Sequence, residues 1–227
     1  MTGGRLDVAT QHYRRPRARN IMINHKHKFI FIHVPKTGGC SVRRALNGGG
    51  LRHRTLDCYN QQLVQDYFTF AFVRNPYDLL VSWYHHKPAL EQVYRSFENW
   101  VKHRCPSHTE SEIMNNRPVM AHSRQSRDCV MIDGATWDTH QHLMQHKWTR
   151  SISMNNHGVD FVGRFESLQQ DLDRACELMN LPARQLPHIN NSKHKHYTEY
   201  YNNQTRRLVA EQYAEDLKCF NYTYGDV

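Results

Sequence analysis

The sequence predicts an α/β fold of three layers, a central parallel β-sheet flanked by helices. Two observations carry this. Short β-branched and aromatic runs are each followed by a glycine or Asn-Pro turn and then by apolar residues at helical spacing. The length of 227 residues suits one domain of this kind and makes two improbable. With 39% apolar residues the chain has the means to build a core, which excludes wholesale disorder. Its longest apolar runs, such as Phe68 to Val73, fall far short of a membrane span.

Residues 1–26 read as a basic, flexible arm, Arg-rich from Arg5 to Arg19, and residues 27–227 as a single domain. Lys28-Phe-Ile-Phe-Ile-His-Val34 is the first buried strand, and a glycine turn ends it. Ser41 to Leu46 is a helix that Asn47-Gly-Gly-Gly50 stops. The next helix is expected from Asp57 to Gln65 with Asp57 as N-cap, followed by Tyr67 to Val73 as a second central strand. Asn75-Pro76 opens a third helix, in which Leu79, Leu80, Trp83 and Tyr84 recur at helical spacing. An amphipathic helix follows from Ser96 to Arg104, whereas Cys105 to Asn156 shows no clean period. Val159 to Gly163 reads as a strand, and Glu166 to Met179 and Thr205 to Leu217 read as the closing helices.

A formal charge of +9 with 17 histidines in reserve favours anionic partners, among them a nucleotide, a sulfated or carboxylated glycan, nucleic acid or a membrane surface. Charge alone does not choose between them. The six cysteines lie far apart with no CxxC pair, so reduced thiols are expected. No apolar signal core precedes Phe29, so a cytoplasmic protein is expected, and the sequons at Asn190, Asn203 and Asn221 read as chance matches.

The most informative segment is His33-Val-Pro-Lys-Thr-Gly-Gly-Cys-Ser41, between a strand and a helix start. Glycines let the backbone turn tightly and bring several N–H groups onto one anion, and the helix adds its positive end. Lys36 supplies a mobile charge, and the hydroxyls of Thr37 and Ser41 are donors for a phosphate. The lysine precedes the glycines, which is not the Walker A order. Taken alone the segment also reads as a surface turn. Phe70-Ala-Phe-Val-Arg-Asn-Pro-Tyr-Asp-Leu-Leu-Val-Ser82 places Arg74 at a strand end and Ser82 two turns into the next helix. Ligands of open α/β sheets gather at the carboxyl ends of strands, where Lys36 and Arg74 would both lie. A local ion pair with Asp78 is the other reading of Arg74.

Together these segments resemble the sulfotransferases that use 3′-phosphoadenosine-5′-phosphosulfate (PAPS), specifically the carbohydrate group that includes heparan 2-O-sulfotransferases and bacterial and viral relatives. In that family a P-K-T-G-G-x-S loop binds the 5′-phosphosulfate, and an R-[ND]-P-x(5)-S segment binds the 3′-phosphate. The likeness continues through Phe97-Glu-Asn-Trp100, Val162-Gly-Arg-Phe-Glu166 and Ser192-Lys-His-Lys-His-Tyr197, from about residue 28 to residue 222. The resemblance implies a P-loop-like fold and transfer of a sulfuryl group to a hydroxyl of a carbohydrate or related acceptor, anionic ones included. It assigns the 5′-phosphosulfate to Lys36, Thr37, Gly38, Gly39, Cys40 and Ser41, and the 3′-phosphate to Arg74 and Ser82. Cys40 stands where relatives often carry Thr, so its backbone N–H is the expected contact. Leu51-Arg-His-Arg-Thr55 resembles the family's short strand with the catalytic base, which nominates His53, and an imidazole suits that task near neutral pH. No metal is expected, because a sulfuryl group carries one charge fewer than a terminal phosphoryl and needs less neutralisation.

Lys193 and Lys195, in a basic loop, are further candidates for the nucleotide, an ordinary solvated loop being the other reading. His140, His142 and His146 lack the carboxylate or cysteine partners of a zinc site. Arg164 either reaches the cofactor or pairs with Glu166, and Gln145 and Trp148 fall in the region expected to shape the acceptor site, unless Trp148 packs in the core. Two rival functions remain: a nucleic-acid-binding protein using the basic arm, and a P-loop nucleotide-binding protein that needs magnesium. The resemblance favours neither, so no nucleic-acid partner is expected.

Overall fold

The computed structural model describes residues 22–48, 53–86, 88–105, 144–151, 154, 157–187 and 194–226. The arm up to residue 21, most of the aperiodic region, Cys129, His140, His142, Asn190 and Lys193 lie outside the described residues. In chain order the elements are β1 (Ile23–Asn24), β2 (Phe29–Ile32), α1 (Gly39–Ala45), a 3₁₀ turn (Leu56–Cys58), α2 (Gln61–Asp66), β3 (Phe68–Val73), α3 (Pro76–His86), α4 (Pro88–Tyr94) and α5 (Phe97–Arg104). They continue with α6 (Gln145–Thr149), β4 (Arg150–Ser151), β5 (His157–Gly158), β6 (Phe161–Arg164), α7 (Leu168–Leu178), a second 3₁₀ turn (Tyr197–Tyr200), α8 (Asn203–Gln212) and α9 (Ala214–Phe220).

The alternation in Phe29-Ile-Phe-Ile32 decides the layering. Side chains of a strand point alternately to its two faces, and all four of these are buried, so β2 is a central strand covered on both sides. Phe29, Phe31, Phe70 and Phe72 pack under Val42 of α1 and Leu172, Ala175 and Cys176 of α7. On the opposite face Ile30, Ile32 and Ala71 meet Leu56, Val64 of α2 and Trp148 of α6. Each such side chain contributes roughly 1.5–3 kcal/mol on burial. A third cluster joins α3, α5 and α8 through Leu80, Trp100, Val101, Val209 and Tyr213.

The main sheet runs β1-β2-β3-β6. The pairs β2–β3 and β3–β6 are parallel, but β1 pairs antiparallel with β2, so the sheet is mixed rather than all parallel. The cause is local: a tight turn with Lys28 at φ 49 reverses the chain over residues 25–28, and a reversal that short permits only antiparallel pairing. Met22 is buried against the aromatic face and Ile23–Asn24 pair with β2, so residues 22–24, read from sequence with the arm, contribute to the sheet and core.

Other differences are matters of capping. Asp57 is not a helix cap: it bonds the Ser151 hydroxyl at 2.5 Å, and Asn60 caps α2 by accepting from the N–H groups of Gln62 and Leu63. The closing helix is two helices broken at Tyr213, the first starting from an Asn202–Thr205 capping box. The exposed helix α4 and the small β4–β5 hairpin carry no signal that the periodicity revealed. Among the described residues no helix is long and apolar enough to cross a membrane.

Candidate functional site

The carboxyl ends of β2, β3 and β6 lie side by side, because all three strands are parallel and the ladder continues past β6 through Phe165 N–H to Val73 O at 2.7 Å. The chain therefore delivers His33–Ser41, Arg74–Asn75 and Phe165–Glu166 to one edge of the sheet.

In the first of these segments the backbone takes two left-handed steps, Lys36 at φ 67 and Gly38 at φ 77, before α1 begins. For a lysine that conformation costs about 1–2 kcal/mol. Gly38 and Gly39 are required by space as well: a Cβ at Gly38 would stand 2.5 Å from Leu168, and one at Gly39 would stand 2.0 Å from the His33 ring. The buried Thr37 hydroxyl donates to Val34 O at 2.9 Å, so in this structure its proton closes the loop. Ser41 N–H is committed to Gly38 O, whereas the N–H groups of Lys36, Thr37, Gly38, Gly39 and Cys40 meet no backbone acceptor among the described residues. A run of unsatisfied donors around αL turns is the physical description of an anion nest. Ser41 is buried, and Cys40 is half-buried as a free thiol.

Lys36 is half-buried, with its ammonium 5.9 Å from the centre of the Trp83 ring. Desolvation, and secondarily the neighbouring Arg74 charge, lower its pKa to about 8. Arg74 meets the same loop: its Nη1 donates to Lys36 O at 3.2 Å, its Nε pairs with Asp78 at 2.7 Å, and its guanidinium lies 3.8 Å from the centre of the Phe165 ring. The ion pair with Asp78 and the approach to the Lys36 loop thus coexist. Ser82 is buried one turn beyond Asp78 on α3, on the stripe that Arg74 and Asp78 begin.

His53 lies over the strand end. Its Nδ1 is 2.8 Å from His33 O, its ring is 4.2 Å from the His33 ring, and its edge approaches Trp148. A carbonyl only accepts, so this bond requires the proton on Nδ1 and makes Nε2 the basic nitrogen of the neutral ring.

Lys195 is exposed and pairs with Glu199 at 3.6 Å, while its neighbour His194 stacks on His85 of α3. Arg164 makes no ion pair with Glu166 among the described residues. It donates to Phe220 O and Asn221 O and stacks on Tyr222. Glu166 instead accepts from Asn75 N–H and the Tyr222 hydroxyl, both at 2.7 Å. Burial and that carboxylate push the Tyr222 phenol far above its usual range. Trp148 packs in the core. His146 is held by the carboxylate of Asp216, and among the described residues no cluster of metal-ligating side chains occurs.

Sequence reasoning missed four contributors: His33, Phe165, Gln145 as a partner of Arg74, and Asp216. Only His33 and Phe165 carried a signal, since both flank strand ends within the motif segments.

A model of the sulfotransferase family matches residues 51–223, a span that contains His53, Arg74, Ser82 and Glu166 and begins after the Lys36 loop. No curated protein and no solved structure matches the chain.

Proposed function

The chain belongs to the sulfotransferase family, and from that premise we propose that it moves the sulfuryl group of PAPS onto a hydroxyl of a carbohydrate acceptor, with His53 as general base. The observation that carries this reading is the approach of Arg74 to the Lys36 loop, Nη1 to carbonyl at 3.2 Å. One edge of the sheet then offers two cationic centres and a row of N–H donors, which fits a ligand with an anionic group at each end. The strand, loop and helix around Lys36 support a P-loop-like topology.

In this reading the N–H groups of residues 36–40 and the Lys36 ammonium hold the 5′-phosphosulfate, and Arg74 with Ser82 holds the 3′-phosphate. Thr37 contributes its N–H and the rigidity of its bond to Val34 O. The bound donor supplies an activated sulfuryl group. Lys36 presents its charge where negative charge develops on the leaving oxygen. His53 Nε2 takes the acceptor hydroxyl proton, while the bond from Nδ1 to His33 O fixes the tautomer and steadies the imidazolium that results. Lys36, Arg74 and the N–H dipoles supply the positive charge, so the reaction proceeds without a metal ion.

Calorimetry with adenosine 3′,5′-bisphosphate and adenosine 5′-monophosphate, followed by a screen of hydroxyl acceptors with labelled donor in the presence of a chelator, tests the reading. Tighter binding of the bisphosphate and label transfer despite chelation are expected. Equal affinity for the two nucleotides would remove the donor assignment.

A further inference from the structure

Arg74 is gripped from outside both motifs. The β3–β6 pairing ends at Val73 and Arg164, so the peptide of Arg74 has left the strand ladder. Gln145 takes over. Arg74 N–H donates to Gln145 Oε1 at 2.8 Å, and Gln145 Nε2 donates to Arg74 O at 2.7 Å. One side chain from α6 thus satisfies the donor and the acceptor of a single residue, in a place where Gln145 is 1% exposed. Burying an amide costs more than burying a hydrocarbon of the same size unless both ends are bonded, so packing alone favours an apolar residue here.

Gln145 is itself fixed from behind. Its N–H donates to Asp216 Oδ2 at 2.8 Å, and His146 N–H donates to Oδ1 at 2.9 Å. Asp216, on α9, is fully buried, and the His146 ring bonds Oδ1 as well. The series Asp216, Gln145, Arg74 ends on the Lys36 carbonyl.

We propose that Gln145, held by Asp216, is a positioning residue that sets the Arg74 backbone and thereby aims its guanidinium at the ribose 3′-phosphate of the donor. This rests on the reading of Arg74 as the 3′-phosphate residue. Gln145 touches no substrate; it acts through Arg74 alone, so its removal should cost affinity only for nucleotides that carry the phosphate Arg74 meets.

The test is calorimetry on the full chain with adenosine 3′,5′-bisphosphate and with adenosine 5′-monophosphate. Gln145→Met keeps the length of the side chain and removes both bonds. Bisphosphate binding should weaken roughly tenfold, the loss of about one buried hydrogen bond to binding, with the monophosphate unchanged. Arg74→Ala should show a larger selective loss, and the double variant should lose no more than Arg74→Ala. Gln145→Glu, which still accepts from Arg74 N–H, should give a smaller selective loss and carries the same test if Gln145→Met does not fold. A normal response of Arg74→Ala beside a Gln145 variant that weakens both nucleotides alike, or neither, overturns this inference alone. An Arg74→Ala variant that keeps the wild-type ratio of the two affinities overturns the reading of Arg74 and this inference with it.

Discussion

The loop from His33 to Ser41 and the shell behind it are built on opposite principles. The loop keeps a run of N–H groups uncommitted, carries a lysine whose charge is disfavoured by its surroundings, and turns through the αL region at two positions. The shell commits its polar groups to neighbours: Gln145 to Arg74, Asp216 to Gln145 and His146, Glu166 to Asn75 and Tyr222. Arg74 joins the two through its bond to the Lys36 carbonyl, and a satisfied shell behind uncommitted donors is the arrangement expected of a preorganised site. Changes in the loop should therefore cost function with little loss of stability, and changes in the shell should do the reverse except at Gln145, whose bonds to the Arg74 backbone tie it to the site.

The sharpest test of that contrast is His53→Ala, which leaves the shell untouched and should lower turnover roughly a hundred- to ten-thousandfold. Nucleotide affinity and the unfolding midpoint should stay near wild type. Single-turnover kinetics with labelled donor would measure it, and near-normal turnover would remove the base role. Gly39→Ala breaks the contrast deliberately, because the loop touches its support there. The new methyl would stand 2.0 Å from the His33 ring, and that ring packs 4.2 Å from the His53 ring, so displacing it disturbs the seat of His53. We expect about 1–3 kcal/mol of destabilisation in urea unfolding together with a fall in turnover. A change in one without the other would separate loop from shell more cleanly than the geometry does.

The sequence made the loop legible and left most of the shell hidden, for a physical reason. Lys36, Gly38, Gly39 and Arg74 are constrained by chain-local chemistry, namely tight turns, strand ends and helix starts, so spacing along the chain exposes them. The strands were readable on the same ground, since Phe29-Ile-Phe-Ile32 alternates between two buried faces. Gln145 and Asp216 are defined by partners 71 residues away, and neither the aperiodic stretch before Gln145 nor the pattern of α9 points to Arg74. Arg164 shows the same limit in reverse. Its neighbour in sequence, Glu166, is one of two expected partners, the cofactor being the other, yet the end of α9 takes the guanidinium with two carbonyls and the Tyr222 ring. The antiparallel β1 was likewise hidden in an arm whose composition favours disorder.

On the shell side, Tyr222→Phe removes the hydroxyl that donates to Glu166 at 2.7 Å while Glu166 keeps its bond from Asn75 N–H. The expected cost is about 1–1.5 kcal/mol of stability, read from the urea midpoint at constant slope. Bisphosphate affinity should be unchanged within a factor of about two. A selective loss of bisphosphate binding would mean that the Glu166 branch of the shell, like Gln145, acts on the nucleotide and not on rigidity alone.

The smallest effect concerns the proton on Lys36. Its pKa falls from 10.5 in the unfolded chain to about 8 in the fold, so between those values this group holds more protons in the unfolded state and its own contribution to stability rises with pH. Below about 8 the folded protein carries a charged lysine in partly desolvated surroundings, at a cost that a bound anion would offset. An anionic ligand should therefore raise the pKa and take up a proton on binding. Near pH 8 the uptake should be about half a proton, seen as a dependence of the binding enthalpy of adenosine 3′,5′-bisphosphate on the ionisation enthalpy of the buffer. Lys36→Met should abolish that dependence while Tyr222→Phe should preserve it, since the first removes a loop donor and the second only a shell contact. Proton uptake that survives Lys36→Met would locate the titrating group elsewhere and leave the lysine without the electrostatic role proposed for it.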